Sequence, residues 1–315
     1  MNKIELQLYR PYVVEPALLE QYVPFARAST RPIDLVSANV ATVPHYSPFR
    51  YPGGKTWLTH ILRRWFAAKP VTTICEPFAG GASASLIAIV EGYVERAILV
   101  EKDASVASVW RTILSSNAER LIERILRFKI SRRTVNEVLN SRPTGDTSLA
   151  FQTIVKNRCR HGGILAGSAG LLIRGERDRG LFSRWYPETL AKRIRLIHSH
   201  RERIAFVEGD GISALQRFGQ RKQQLKLFVD PPYPKLMQPG VRPLYNHCAL
   251  NHERIFRLLE KTPHDFLLTY DDTDYARRLA RTANFCYLTI AMRNSNADSK
   301  KELIITPSPI ATLLD

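Results

Sequence analysis

The chain has 315 residues, 44% hydrophobic and 24% charged, proportions that exclude a disordered or fibrous protein. Its 46 Lys+Arg against 29 Asp+Glu give a net charge of +17, which points to a polyanionic partner, nucleic acid before an anionic membrane surface. No uncharged apolar run approaches the ~20 residues of a membrane-spanning helix, and the opening MNKIELQLYR lacks the apolar core of a secretion signal. The four cysteines (Cys75, Cys159, Cys248, Cys286) form no CxxC pair, so neither a zinc site nor a disulfide framework is expected, and a cytoplasmic location is.

Residues 1–45 hold Pro11, Pro16, Pro24, Pro32 and Pro44 without a sustained period, which predicts an irregular arm with a brief helical stretch at 17–22. From Val71 onward short apolar runs alternate with helical stretches. Strands are predicted at 71–75, 97–100, 204–207, 225–229, 266–270, 287–290 and 303–306, with a helix at 84–89 between the first two. Near-continuous apolar strands separated by helices predict a doubly wound, mostly parallel α/β sheet, with ligands beyond the carboxyl ends of its strands.

The alternation breaks at 115–200. There Leu121, Ile122, Ile125 and Leu126, and later Leu190, Ile194 and Ile197, have helical spacing around a Gly-rich centre. This predicts a mainly helical insert with a loop or hairpin in its middle, dividing the sheet domain into 46–114 and 201–315. Between Arg111 and Arg203 the chain carries twenty Lys/Arg against eight Asp/Glu, a concentration suited to neutralising phosphates.

Three motifs carry chemistry. Phe49-Arg50-Tyr51-Pro52-Gly53-Gly54-Lys55-Thr56 ends like a P-loop, but Phe49 stands where that motif needs glycine and no strand precedes it. A tight turn presenting Lys55 to a ligand carboxylate is the other reading. Glu76-Pro77-Phe78-Ala79-Gly80-Gly81 follows the first strand and lets backbone approach a ligand, without the GxGxxG spacing of a dinucleotide site. Glu101, at the end of the next strand, suits ribose hydroxyls, so an adenosine-type ligand without pyrophosphate is predicted. Asp230-Pro231-Pro232-Tyr233 ends the strand at 225–229, and its prolines force the chain out of the sheet. A carboxylate, a free carbonyl and a ring there suit a planar ligand bearing an amino group; the bland alternative is an acidic turn with Tyr233 in the core.

The ordered series RYPGGK, EPFAGG, VEKD, VEGD and DPPY resembles the Dam-type DNA adenine N6-methyltransferases, from about Phe49 to Thr306. The resemblance implies a Rossmann-like methyltransferase sheet, S-adenosylmethionine as cofactor, double-stranded DNA as partner and an inserted target-recognition domain at 115–200. It assigns Tyr51, Lys55, Glu76, Phe78 and Gly80 to cofactor binding, Glu101 to the cofactor ribose and Asp210 to its adenine. Asp230, Pro231, Pro232 and Tyr233 become the catalytic tetrapeptide, with Asp230 also facing the cofactor. Asn157 and Arg158 match the Asn-Arg pair that leads into the family's recognition hairpin.

The resemblance implies direct methyl transfer, without metal or covalent intermediate, to an adenine flipped out of the duplex. Tyr233 is expected to stack on that base, with Tyr245 closing over it or packing in the core. Asn157, Arg158, Arg160, Arg174, Arg177 and Arg179 are the expected DNA contacts, with most of the arginines on phosphates. His198 and His200 are read as surface or core histidines. An amino-group methyltransferase acting on RNA or protein, and a silent DNA-binding homologue, stay open as alternatives, as does a cognate restriction endonuclease. Residues 162–184 are unlike familiar members, so no target sequence is implied.

Overall fold

A computed structural model describes residues 43–50, 55–165, 170–173, 179–233, 250–293 and 299–309. The arm predicted at 1–45, with its helical stretch, falls outside them apart from 43–45. All seven predicted strands are present: β1 (Thr73–Glu76), β2 (Arg96–Glu101), β3 (Ile204–Glu208), β4 (Lys226–Val229), β5 (Asp265–Asp271), β6 (Cys286–Arg293) and β7 (Ser299–Thr306). They form one sheet in the order β3-β2-β1-β4-β5-β7-β6. The pairings from β3 to β5 are parallel, and β7 runs antiparallel to both β5 and β6.

Strand side chains point alternately to the two faces, which explains why both faces read as apolar. Ile74, Leu99, Phe228, Leu267 and Ile304 join one core layer; their neighbours Cys75, Val100, Leu227, Leu268 and Ile305 join the other. Helices α8 (Gly211–Phe218), α9 (His252–Glu260) and α10 (Asp274–Thr282) cover the second face. The first face is covered by α1 (Thr59–Ala68), α2 (Ser83–Val90) and α3 (Ala104–Leu114). Two aspartates start helices directly after strands. Asp103 accepts from the amides of Ser105 and Val106 at the head of α3, and Asp210 from that of Ser213 at the head of α8.

The 115–200 segment is helical, as expected: α4 (Ala118–Arg127), α5 (Arg132–Asn140), α6 (Asp146–Cys159) and α7 (Pro187–Ser199). At its centre an antiparallel bridge joins Arg160 to Leu171. The segment shares a core with the sheet domain. Trp110 of α3, Phe151, Ile154 and Val155 of α6, and Leu190, Ile194 and Ile197 of α7 belong to the same buried layer as Ile74 and Leu99. Among the described residues, no helix is long and apolar enough to cross a membrane.

Candidate functional site

The parallel strands deliver their carboxyl ends to one edge. In sheet order these ends present Asp210 after β3, Glu101 on β2, the 77–82 turn after β1 and Asp230 after β4. Connections diverge between β1 and β4, the topological switch point where open α/β sheets leave a crevice. A cleft of about 620 Å³ lies there, lined by Lys55, Glu76, Phe78, Gly80, Glu101, Asp210, Asp230 and Pro232. Its volume falls within the ~300–1,000 Å³ usual for small-molecule sites.

The turn after β1 is fixed from several sides. Gly80 adopts φ 47 and donates its amide to Glu101 Oε2 at 2.9 Å, while its carbonyl accepts from the buried Trp110 Nε1 at 2.9 Å. Glu101 Oε1 accepts from the Asp103 amide at 2.8 Å. Burial raises the Glu101 pKa, opposed by these amide bonds. Glu76 is more extreme: burial pushes its carboxyl up to about 8 although the Ser85 amide donates to it. Gly211 is required opposite this turn, because a Cβ there would collide with the Phe78 ring and the Pro77 carbonyl.

Asp230 belongs to a tight ionic cluster. Its Oδ2 meets Lys55 Nζ at 2.9 Å, and its Oδ1 accepts from Thr269 Oγ1 at 2.6 Å and Tyr233 Oη at 3.0 Å. Glu302 on β7, 0% exposed, completes the group at 3.6 Å from Lys55 Nζ and 3.3 Å from Tyr233 Oη. Desolvation works to lower the Lys55 pKa, but Asp230 and Glu302 outweigh it and the net direction is upward, so the ammonium stays charged. Asp230 is the exposed member: its side chain is 27% accessible against 4% for Lys55.

Tyr233 sits differently from the expectation that it stacks on a substrate ring. It is 9% exposed, its ring lies against Tyr270 at 5.8 Å, and Lys55 Nζ sits 5.3 Å from its centroid. A neighbouring aromatic and an ammonium occupy its surroundings, and its hydroxyl holds Asp230. Pro231 is buried, whereas Pro232 lines the cleft.

Tyr51, Arg174, Arg177 and Tyr245 lie outside the described residues. Asn157 departs from its expected place on DNA: it is 0% exposed. Its Oδ1 accepts from the Arg50 amide at 2.8 Å, and its Nδ2 donates to the carbonyls of Arg50 and Gly163 at 2.9 and 2.8 Å. It latches the segment before Lys55 onto the insert, at a point where Gly163 (φ +77) has no room for a Cβ against the Arg50 carbonyl. Arg158 is also buried, at 7% exposure, and faces the cleft. Arg160 is half-buried beside the Arg160–Leu171 bridge, and Arg179 is exposed, donating to the Phe182 carbonyl at 2.9 Å. His198 Nδ1 lies 2.8 Å from the Ile113 carbonyl, a structural role. Among the described residues no group of three or more His, Cys, Asp or Glu could hold a metal ion.

Sequence patterns did not point to Thr269, Glu302 or Arg193. Thr269 and Glu302 come from strands remote in sequence; the one signal for Glu302 is a carboxylate opening the apolar run Leu303-Ile304-Ile305. Arg193 of α7 lines the cleft beside Arg158.

No family model matches the chain, and no curated protein does either. Similar solved structures include the rRNA methyltransferase aviRa from Streptomyces viridochromogenes, 12% identical over 84% of this chain and 88% of that one, TM-score 0.36. An O-methyltransferase from Bacillus cereus in complex with SAH is 8% identical over 85% and 86%, TM-score 0.38. A SAM-dependent methyltransferase from Agrobacterium tumefaciens is 12% identical over 79% of this chain and 59% of that one, TM-score 0.36. Likeness at this level carries nothing about substrate or cofactor, which must be read from the cleft itself.

Proposed function

We propose that the protein transfers a methyl group from S-adenosylmethionine to the N6 amine of an adenine flipped out of double-stranded DNA. The observation that carries this reading is the placement of Asp230. It stands at the switch point of the sheet, in the cleft shared with the Phe78–Gly80 turn, Glu101 and Asp210. Three side chains fix its carboxylate and leave it partly accessible.

The residues present fit the cofactor. Glu101 at the end of β2 and Asp210 just past the adjacent β3 would offer carboxylate oxygens to a ribose and an adenine amine, and Phe78 lines the same cleft. Both carboxylates are held by backbone amides, so they are positioned before any ligand binds. When bound, S-adenosylmethionine supplies an electrophilic methyl group.

The adenine amine is a poor nucleophile because its lone pair is delocalised into the ring. An Asp230 oxygen and the Pro231 carbonyl would accept its two N–H groups, favouring a pyramidal nitrogen with a localised pair. Each carboxylate oxygen has two acceptor sites, so the bonds from Thr269, Tyr233 and Lys55 leave Asp230 capacity for the substrate. The Asp230 charge also stabilises the positive charge that grows on nitrogen. The amine nitrogen would take the methyl group, the C–S electron pair staying with sulfur, and would then give one proton to solvent water while Asp230 and the Pro231 carbonyl hold its N–H groups. Lys55, Tyr233 and Thr269 contribute by stopping rotation of Asp230, so little reorganisation is needed during the reaction.

The test supplies purified protein and methyl-labelled cofactor with duplex DNA, RNA and protein in parallel, followed by mass spectrometry of the nucleosides. Label recovered from DNA as N6-methyladenine is the expected result. Label confined to RNA or protein, or to another base, would overturn the reading.

A further inference from the structure

Buried cations elsewhere in the protein have carboxylate partners: Lys55 has Asp230 and Glu302, and Lys226 has Asp265 at 2.9 Å. The insert side of the cleft breaks this pattern. Arg158 donates to the Pro48 carbonyl at 2.5 Å, Arg193 to the Ser47 carbonyl at 3.1 Å, and neither meets a carboxylate among the described residues. Arg158 Nε is buried with no hydrogen-bond partner. Burial, and then the nearby charges of Arg193, Arg50 and Arg184, push the Arg158 pKa down to about 9. Backbone carbonyls explain the hydrogen bonds but neutralise nothing, and a buried charge without a counter-charge is strongly unfavourable.

We infer that Arg158 and Arg193 form an anion subsite inside the cleft that takes a phosphate ester, and specifically a backbone phosphate of the DNA strand carrying the target base. Both side chains line the same cleft as Asp230, so the subsite lies within the reaction chamber rather than on the outer surface. Guanidinium forks match phosphate oxygens in geometry and remain charged where an ammonium would shift. A flipped nucleotide brings its own phosphates into the protein, and the two arginines would hold that backbone while Asp230 holds the base. This deepens the function proposed above and rests on it. A mononucleotide offers the same chemistry, as does, more weakly, the carboxylate of the cofactor.

The test uses the full chain and three variants of the more exposed arginine: Arg193→Met removes the charge, Arg193→Lys keeps it, and Arg193→Gln keeps a donor for the Ser47 carbonyl. Thermal melting confirms that each folds. Fluorescence anisotropy with duplex DNA over a salt series should show Arg193→Met and Arg193→Gln binding roughly tenfold more weakly, with a salt slope lower by about one; Arg193→Lys should lie near the parent. In the substrate duplex, replacing phosphates near the adenine one by one with neutral methylphosphonates should weaken the parent at one position and leave Arg193→Met indifferent there. Unchanged slopes in folded variants would overturn the subsite. So would a loss confined to S-adenosylmethionine binding, or one seen with dAMP and not with the duplex. DNA binding and its salt slope need no turnover: a changed slope without methyl transfer keeps the subsite and removes the proposed reaction, and the reverse removes the subsite alone.

Discussion

The two walls of the cleft are built on opposite terms. On the sheet side every carboxylate has a donor from the protein. Ser85 serves Glu76, Gly80 and Asp103 serve Glu101, Ser213 serves Asp210, and Lys55, Thr269 and Tyr233 serve Asp230. On the insert side Arg158 and Arg193 bond, among the described residues, to carbonyls of the segment that precedes Lys55. On the proposed function this division would match a methyl donor that is a small cation and an acceptor that is a polyanion, with the insert wall completed by the acceptor's phosphate.

The largest effect should come from the sheet wall. Asp230→Asn keeps the shape and removes the charge, and single-turnover methyl transfer should fall roughly 10²–10³-fold while duplex affinity holds within a few-fold. Full turnover would break the assignment of this wall to chemistry. Lys55→Met should cost about 3–5 kcal/mol in urea unfolding, because it leaves the carboxylates of Asp230 and Glu302 facing each other without their shared cation. A smaller loss would mean that the cluster relaxes readily. Asn157→Ala removes three hydrogen bonds, two of them between the insert and the Arg50 segment, and should cost about 1–3 kcal/mol. Replacing Glu101 by Gln should weaken cofactor binding about tenfold, near 1.4 kcal/mol, with duplex affinity unchanged by calorimetry.

A separate effect concerns pH. Glu76 has a folded pKa of about 8 against an ordinary 4.5, so the folded state holds its proton more tightly than the unfolded state. The stability it contributes is fully present below 4.5 and is lost as pH rises toward 8. Melting temperature should therefore decline across that window, and the decline should flatten in Glu76→Gln. An identical slope in the two proteins would mean that Glu76 is ionised in the folded state.

The strands were legible because each is a short apolar run ended by a polar or breaking residue, such as Asp230-Pro231 after β4. The place of Glu101 and Asp230 at the cleft was legible for the same reason, since each stands at a strand end, whereas Asp210 entered through the resemblance. Thr269 and Glu302 were not, because their meeting with Asp230 depends on β5 and β7 lying side by side, a pairing that leaves no local pattern. For Tyr233 both a ring on substrate and a ring in the core were open, because a ring beside a carboxylate looks the same in sequence either way, and its burial was not legible. The burial of Asn157 was not legible either, because its bonds run to Arg50, remote in sequence.

The core shared by α3, α6 and α7 ties the insert to the cleft. Exchanging residues 115–200 as a block would strip Phe151, Ile154, Leu190 and Ile194 from the core layer they share with Trp110, whose indole holds the Gly80 turn, so on the proposed function a graft aimed at target choice would also loosen the cofactor side of the cleft. Exchange confined to the stretch between Cys159 and Pro187 spares those four side chains but still replaces Leu165, Leu172, Leu181 and Trp185 of the same core. Chimaeras divided there should melt closer to the parent than block exchanges only where these four positions stay large and apolar.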